Sequence, residues 1–489
     1  MNGLDEERIP VIVASGQCLE RDAPVSALDL MARAGRECLA QAPALADGVD
    51  RVSVVSVMSP VPPAPASALA ARLGLSPART EVSTIGGNSP QWLLNRAASD
   101  IATGRAGTVL VAGAETQRTM KAMVSPPPVP EEQALAPDPV VGDHRAGVGQ
   151  AELDAGLIAP VHVYALFESV LAHGAGRSFE QHRRVLGELM APFTAVAAAH
   201  PAAWFPTRRT PEELSTVGPG NRLVAEPYPK LLCAVINVDQ GACVLVTSLA
   251  AARRAHVADR AAFCLAGAEA NDVWFPSARP DPGSSPAIAA AAGAALEAAG
   301  VGVDEVSAFD LYSCFPCAVE MAAHAIGIDV DDKRGLTVTG GLPYFGGPGN
   351  NYTLHAIATM AERLRQTGGT GLVTGLGWYA TKHAVGVYGA DPPPRGWRHA
   401  DTTAAQTAID AAGADVAADA VGPATVVAST VVSGRDGRPQ AAPVIARLDD
   451  GRQVAAAAED EELAALAGRN LVGERVLLAG PLPRFRMAG

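Results

Sequence analysis

Seven cysteines and ten histidines are spread over this 489-residue chain, and Cys314 and His383 stand where chemistry could use them. Pro316 and an Ala-rich stretch with helical spacing follow Cys314, so a helix N-terminus comes directly after the thiol. A positive dipole there favours the thiolate that a nucleophile requires. The competing reading is a buried core thiol, the fate of most free cysteines. Cys317 completes a CxxC, but no second CxxC and no histidine pair accompanies it, so no metal site is expected and Cys317 is assigned to the core. His383, in Thr381-Lys-His-Ala384 at the entrance of an apolar run, suits a general base or an oxyanion donor near neutral pH. Its alternative role is to bond a neighbouring loop and shape the site. Cys314 and His383 form the candidate catalytic pair.

A second set could bind rather than react. Gly86 and Gly87, just before a helical stretch, can expose backbone N–H groups to an anion or oxyanion, or can form a tight turn for conformational reasons alone. Asn88 belongs to the same turn; Ser89 is read as the helix cap, with Pro90 in the first turn. Asn350 and Asn351 stand where another helix begins, to cap it or to contact a carbonyl oxygen. His355 lies further along that helix, facing either a pocket or the packing surface. Tyr312 can donate its hydroxyl to a carbonyl. Arg208 and Arg209 carry guanidinium forks that match phosphate geometry.

Positioning these residues takes an alternating scaffold. Residues 10–16, 51–58, 80–85, 108–112 and 242–247 read as strands, with helices at 27–40 and 91–103, the pattern of βαβ units and buried, mainly parallel strands. The order then repeats, with strands at 262–267, 305–311, 336–339, 371–374 and 384–388 and helices at 287–299, 318–326 and 354–365. A duplicated α/β unit accounts for this. Between the strand sets of the first half lies a long stretch, 117–228, with the proline-rich run Ser125 to Pro130 and one helical segment at 166–199; a loop of this length is functional or a small subdomain. After Pro394 the composition shifts to strands at 424–432 and 442–448, with Asp-Gly turns at Arg435 to Gly437 and Asp449 to Gly451 that read as hairpins. The expected domains are 1–255, 256–394 and a small, mostly β unit at 395–489.

Composition narrows the partners. Acidic residues outnumber basic ones, 51 to 38, and the basic ones form no stripe, which excludes nucleic acid as an expected partner. The first residues are charged, and no run of 18 apolar residues occurs, so neither a signal peptide nor a membrane span is expected and the chain is read as cytoplasmic.

Four segments in chain order resemble the motif loops of the thiolase superfamily. Thr84-Ile-Gly-Gly-Asn-Ser-Pro90, leading to Thr108-Val-Leu-Val-Ala-Gly-Ala-Glu115, is similar to the nucleophile loop and the AGxE strand. Asp310-Leu-Tyr-Ser-Cys-Phe-Pro316 resembles the HDCF loop of sterol-carrier-type thiolases, Gly340-Gly-Leu-Pro-Tyr-Phe-Gly-Gly-Pro-Gly-Asn-Asn351 the GG…GHP loop, and Thr374-Gly-Leu-Gly-Trp378 the CxG loop. Trp204-Phe-Pro206, Arg209-Thr210, Pro227-Tyr-Pro-Lys-Leu231 and Asp239-Gln-Gly-Ala242 are similar to signatures of the thiolase-like, type 1 proteins of actinobacteria. The resemblance implies an α/β thiolase fold, with duplicated βαβαβαββ halves in five αβαβα layers, plus an additional mostly β C-terminal domain. It also implies an acyltransferase of lipid metabolism, similar to acetyl-CoA acetyltransferases, with no permanently bound cofactor and with coenzyme A or an acyl-CoA as substrate or ligand, its phosphates meeting Arg208 and Arg209.

The departures are as informative. The nucleophilic cysteine, the histidine of GHP and the cysteine of CxG align with Gly86, Gly347 and Gly375, and the histidine of HDCF with Tyr312, which can plug the vacated space. Glycine neither attacks a thioester nor accepts a proton, so ordinary thiolysis is excluded. Two expectations remain open: an acyltransferase with a non-standard residue set, and a catalytically silent thiolase fold that binds CoA or acyl-CoA as carrier, sensor or accessory subunit. The C-terminal domain is a candidate docking site for a protein partner, and both a monomer and a homodimer are compatible with the sequence.

Overall fold

The computed structural model describes residues 5–123, 135–480 and 483–488; the proline-rich run at 125–130 lies outside them. The two α/β repeats place their strands in one hydrogen-bonded array. From edge to edge it runs Ala308–Asp310, Thr370–Gly377, Lys382–Gly389, Ala262–Asn271, Pro10–Leu19, Asp239–Ser248, Thr108–Thr116, Arg51–Val54, Arg79–Ser83 and Val140–Val141. The halves join through Val11 beside Phe263 and Ile12 beside Ala262. Within the first half Arg51–Val54 pairs in parallel with both of its neighbours, and Asp239–Ser248 is antiparallel to its own.

Two helices, Ser89–Thr103 and Tyr352–Thr367, pack against strands of both halves and against each other, while Ala27–Ala40 and Pro286–Ala299 cover the outer faces. This is the five-layer thiolase fold. Every residue of Thr108–Thr116 and of Asp239–Ser248 is buried, as strands covered on both faces must be. Each central helix begins just after a motif loop, so the layer that holds the molecule together also brings the loops to one end of it.

The strands are not mainly parallel as expected: from Thr370–Gly377 across to Thr108–Thr116 every neighbouring pair is antiparallel, and parallel pairing is confined to the flanks and to the short off-path Arg398–His399 strand. Two expected elements also differ. Residues 336–339 form no strand: the Asp310 carboxylate accepts hydrogen bonds from the backbone N–H of Val338 and Thr339 and from the hydroxyls of Thr337 and Thr339. A side chain thus takes over backbone donors that a ladder would have used. The single helix expected at 166–199 is two, Pro160–Gly174 and Phe179–Ala199. They are separated at Gly176, whose φ of +65° suits glycine, and the second opens with a Ser178/Gln181 capping box.

The C-terminal strands form a closed barrel, Gly422–Ser429, Pro443–Leu448, Gln453–Ala458, Arg484–Met487 and Arg475–Ala479, with its own apolar core around Val444, Val454 and Phe485. Gly437 and Gly451 take φ of +79° and +92°, the positive values that the Asp-Gly turns require. The barrel docks on the long insertion. Val432 pairs with Ala225, Ser429 N–H donates to Ser169 Oγ at 3.0 Å, and Asn470 Nδ2 donates to the Ser169 carbonyl at 2.8 Å.

Candidate functional site

The fold gathers part of the expected set. Asn350 Oδ1 accepts from Gly86 N–H at 3.0 Å, its Nδ2 donates to the Ser56 carbonyl at 2.8 Å, and Thr353 Oγ1 donates to the Gly87 carbonyl at 2.7 Å. The Tyr312 hydroxyl lies against Gly87, and Tyr312 N–H donates to Thr374 Oγ1 at 2.8 Å. All four motif loops therefore touch, and Gly86, Asn88, Tyr312 and Asn350 share one buried cluster.

The space that a thiolase would use between them is filled. A Cβ on Gly375 would lie 3.0 Å from Asn88 Cα, 3.3 Å from the Gly87 carbonyl oxygen and 3.3 Å from Thr353 Cγ2. Glycine at 375 is the condition for the first loop to pack directly on the fourth. A Cβ on Gly86 would lie 2.9 Å from Lys382 Cε and 3.0 Å from Lys382 Nζ, and the φ of +151° at Gly86 disfavours any other residue. Gly347 is less crowded, the nearest atom to its Cβ position being the Val235 carbonyl oxygen at 3.3 Å. The Gly86 N–H is already committed to Asn350, so it is not a free oxyanion donor. Tyr312 fills the space beside Gly87, and burial, reinforced by Cys314, raises its hydroxyl pKa.

Lys382 is the reactive group in this cluster that residue-type reasoning passed over. Its Nζ donates to the Ile85 carbonyl at 2.5 Å, and its side chain is buried. Burial pulls the ammonium down to about 8, Arg145 adds to the drop and Asp143 opposes it. The nearby Asn88 Oδ1 is buried without a hydrogen-bond partner. Successive residues of a strand face opposite sides, so the strand Lys382–Gly389 sends Lys382 into the motif loops and His383 away from them. His383 Nε2 meets Asp272 Oδ2 at 3.0 Å, the Ala380 carbonyl at 3.1 Å and Ser285 Oγ at 3.4 Å. Burial pushes Asp272 up, but His383, Arg279 and Ser285 outweigh it and hold the carboxyl below its usual range. His383 thus belongs to a separate buried network.

Cys314 adjoins the cluster through Tyr312 and Tyr164, but burial pushes its thiol up to about 12, the opposite of what a thiolate nucleophile needs. His355 is apart from the site. Its Nδ1 bonds Gln17 Oε1 at 2.8 Å, and burial takes it down to about 3. Asn351 donates through Nδ2 to the Gly113 carbonyl at 2.8 Å. Neither Asn88 nor Asn351 caps its helix with its side chain, and Ser89, expected as the cap, is the first helical residue and donates to the Thr84 carbonyl at 2.8 Å. Arg208 is exposed. Its segment is held against the third loop by Trp204 N–H to the Phe345 carbonyl at 2.7 Å and Phe205 N–H to the Tyr344 carbonyl at 3.0 Å.

Fold and loops together define a member of the thiolase superfamily. A solved structure of a monomeric SCP2-thiolase-like protein type 1 from Mycobacterium smegmatis is 31% identical, covers 99% of this chain and 100% of its own, and superimposes with a TM-score of 0.85. The chain belongs to the SCP2-thiolase-like proteins of type 1. A family model described as the thiolase-like protein type 1 additional C-terminal domain matches residues 405–479. Two further structures share the fold over 78% of this chain. They are the Ltp2-ChsH2(DUF35) aldolase, 19% identical over 98% of its chain with a TM-score of 0.61, and an acetyl-CoA acetyltransferase from Syntrophomonas wolfei, 15% identical over 100% of its chain with a TM-score of 0.59. No curated protein sequence matches the chain.

Proposed function

We propose that the protein binds CoA or an acyl-CoA and does not catalyse thiolysis, serving as a carrier, sensor or accessory subunit. The observation that carries this reading is the contact of the Gly87–Asn88 backbone with Gly375. The two cysteines of a thiolase are absent, and the packing has closed over their places. The exposed Arg208 beside the third loop, with Arg209 close to Tyr344, supplies cations for the ligand's phosphates.

The position of Lys382 favours a second reading, an acyltransferase with a non-standard residue set, because an amine at about pH 8 is partly neutral and nucleophilic. Intact mass spectrometry after incubation with acetyl-CoA and with a longer acyl-CoA separates the two readings. The binding protein gives no covalent adduct. It gains thermal stability in millimolar CoA, by about 2.7 kcal/mol at a hundredfold excess over Kd. An adduct lost in Lys382→Met or Cys314→Ala would instead establish an acyl-transferring residue, and an unchanged Tm in CoA would end the ligand reading.

A further inference from the structure

Away from the motif loops, three helices bring together a group of side chains rich in unshared electron pairs, two of them buried and Glu320 half-buried. Glu168 comes from Pro160–Gly174, His182 from Phe179–Ala199 and Glu320 from Pro316–Ile326. The side chains of His182 and Glu168 are 1% and 0% exposed. One donor atom from each of the three residues lies within 4.8 Å of the other two. His182 Nε2 meets Glu168 Oε1 at 2.6 Å, and the Tyr228 hydroxyl donates to Glu168 Oε2 at 2.6 Å.

The protein does not satisfy the whole cluster. Glu320 Oε2 is buried with no hydrogen-bond partner. Among the described residues, neither carboxylate forms an ion pair with lysine or arginine. Burial raises both carboxyls, Glu168 to about 7 and Glu320 well above its usual range, with Glu168 beside it. Two carboxylates buried in contact are costly unless a positive charge lies between them.

We propose that Glu168, His182 and Glu320 bind a divalent transition-metal cation, with zinc as the best fit. One imidazole and two carboxylate oxygens are three of the four ligands of a tetrahedral zinc shell, leaving the fourth place to water or to the Tyr228 hydroxyl. Calcium and magnesium call for more oxygen ligands than this group offers. Zinc bonds of about 2.0–2.2 Å set neighbouring ligand atoms about 3.3 Å apart, so Glu168 and His182 would separate by less than 1 Å. Binding releases any protons the ligands carry. The cation would tie the insertion to the helix that follows the Asp310–Pro316 loop, a structural role independent of CoA.

The test uses the full-length chain, stripped with chelator, incubated with Zn2+ and dialysed. The wild type is expected to retain about one zinc per chain by elemental analysis, with a higher Tm. Glu320→Gln and His182→Asn, in which every cysteine is unchanged, should lose retention, with affinity falling by more than the roughly 10–100-fold that an outer-shell partner costs. Bound Co2+ should give the visible absorption of a tetrahedral site in the wild type alone. Equal zinc in wild type and Glu320→Gln, or no zinc in the wild type, overturns the proposal. So does a Glu320→Gln chain that is merely more stable without metal, which would identify a carboxyl pair sharing a proton. Should the variants not fold, the wild-type stoichiometry and Co2+ spectrum decide.

Discussion

Lys382 and His383 are adjacent in sequence and opposite in space. Histidine was the more visible candidate by type, but which residue faces the loops depends on strand register, which one sequence does not display. The lysine's depressed pKa has a direct consequence. Below about pH 8 folded and unfolded chains both carry the proton, and the buried ammonium destabilises the fold in full. Between about 8 and the ordinary 10.5 only the unfolded chain keeps the proton, so stability rises with pH. Lys382→Met is therefore expected to raise stability at pH 7 by on the order of 1–3 kcal/mol, a gain that shrinks as pH climbs from 8 to 10.5, checked by chemical denaturation at several pH values. Cys314, with its thiol at about 12, should react with iodoacetamide no faster than the other thiols, as peptide mapping would show. A faster Cys314 would revive it as nucleophile. Replacing Gly375 by cysteine should restore no thiolysis and destabilise the fold by about 1–3 kcal/mol, because the added Cβ meets backbone at Asn88.

At the scale of elements, the first outer helix was legible to the residue, Ala27–Ala40, because its apolar spacing and the Ser26 cap agree. Most strands of both halves were also legible; the first and second motif loops run from a strand end to a helix start, the third leads into Tyr352–Thr367, and the fourth joins two strands, Thr370–Gly377 and Lys382–Gly389. The segment 336–339 was not legible, because Asp310 decides its conformation from a distance. Asp310 is wholly buried and also accepts from the Tyr352 hydroxyl at 3.0 Å. Asp310→Asn, which turns an acceptor into a donor, should cost roughly 1–3 kcal/mol for each group it leaves unsatisfied. Urea unfolding would measure this, together with faster amide exchange at Val338 and Thr339.

At the scale of the molecule, the C-terminal domain contacts the insertion through the pairing of Val432, just outside the barrel, with Ala225 and through the Ser169 contacts of the barrel. Cutting the chain before Gly422 would expose the Ser169 face and remove Val432 from beside Ala225, leaving Ala225 only its Tyr228 pairing. The truncated protein is expected to aggregate on size-exclusion chromatography under conditions in which the full chain elutes as a single discrete species. The C-terminal unit was legible as β from its Asp-Gly turns. Its closure into a barrel and its seat on the insertion were not, since both depend on pairings between distant segments such as Gly422–Ser429 with Arg475–Ala479.

A two-residue strand at one end of the large sheet bears on how copies of the chain meet. Val140 and Val141 lie beside Val82 and Ser83 at the outer rim of the first half. Pro139 and Val141 give their carbonyls to the N–H groups of Val82 and Thr84. An unpaired rim is adhesive, since its free N–H and C=O groups are a template for a neighbouring chain. These residues act as a stopper there: they spend, within one copy, hydrogen bonds of Val82 and Thr84 that an open rim would offer to a second.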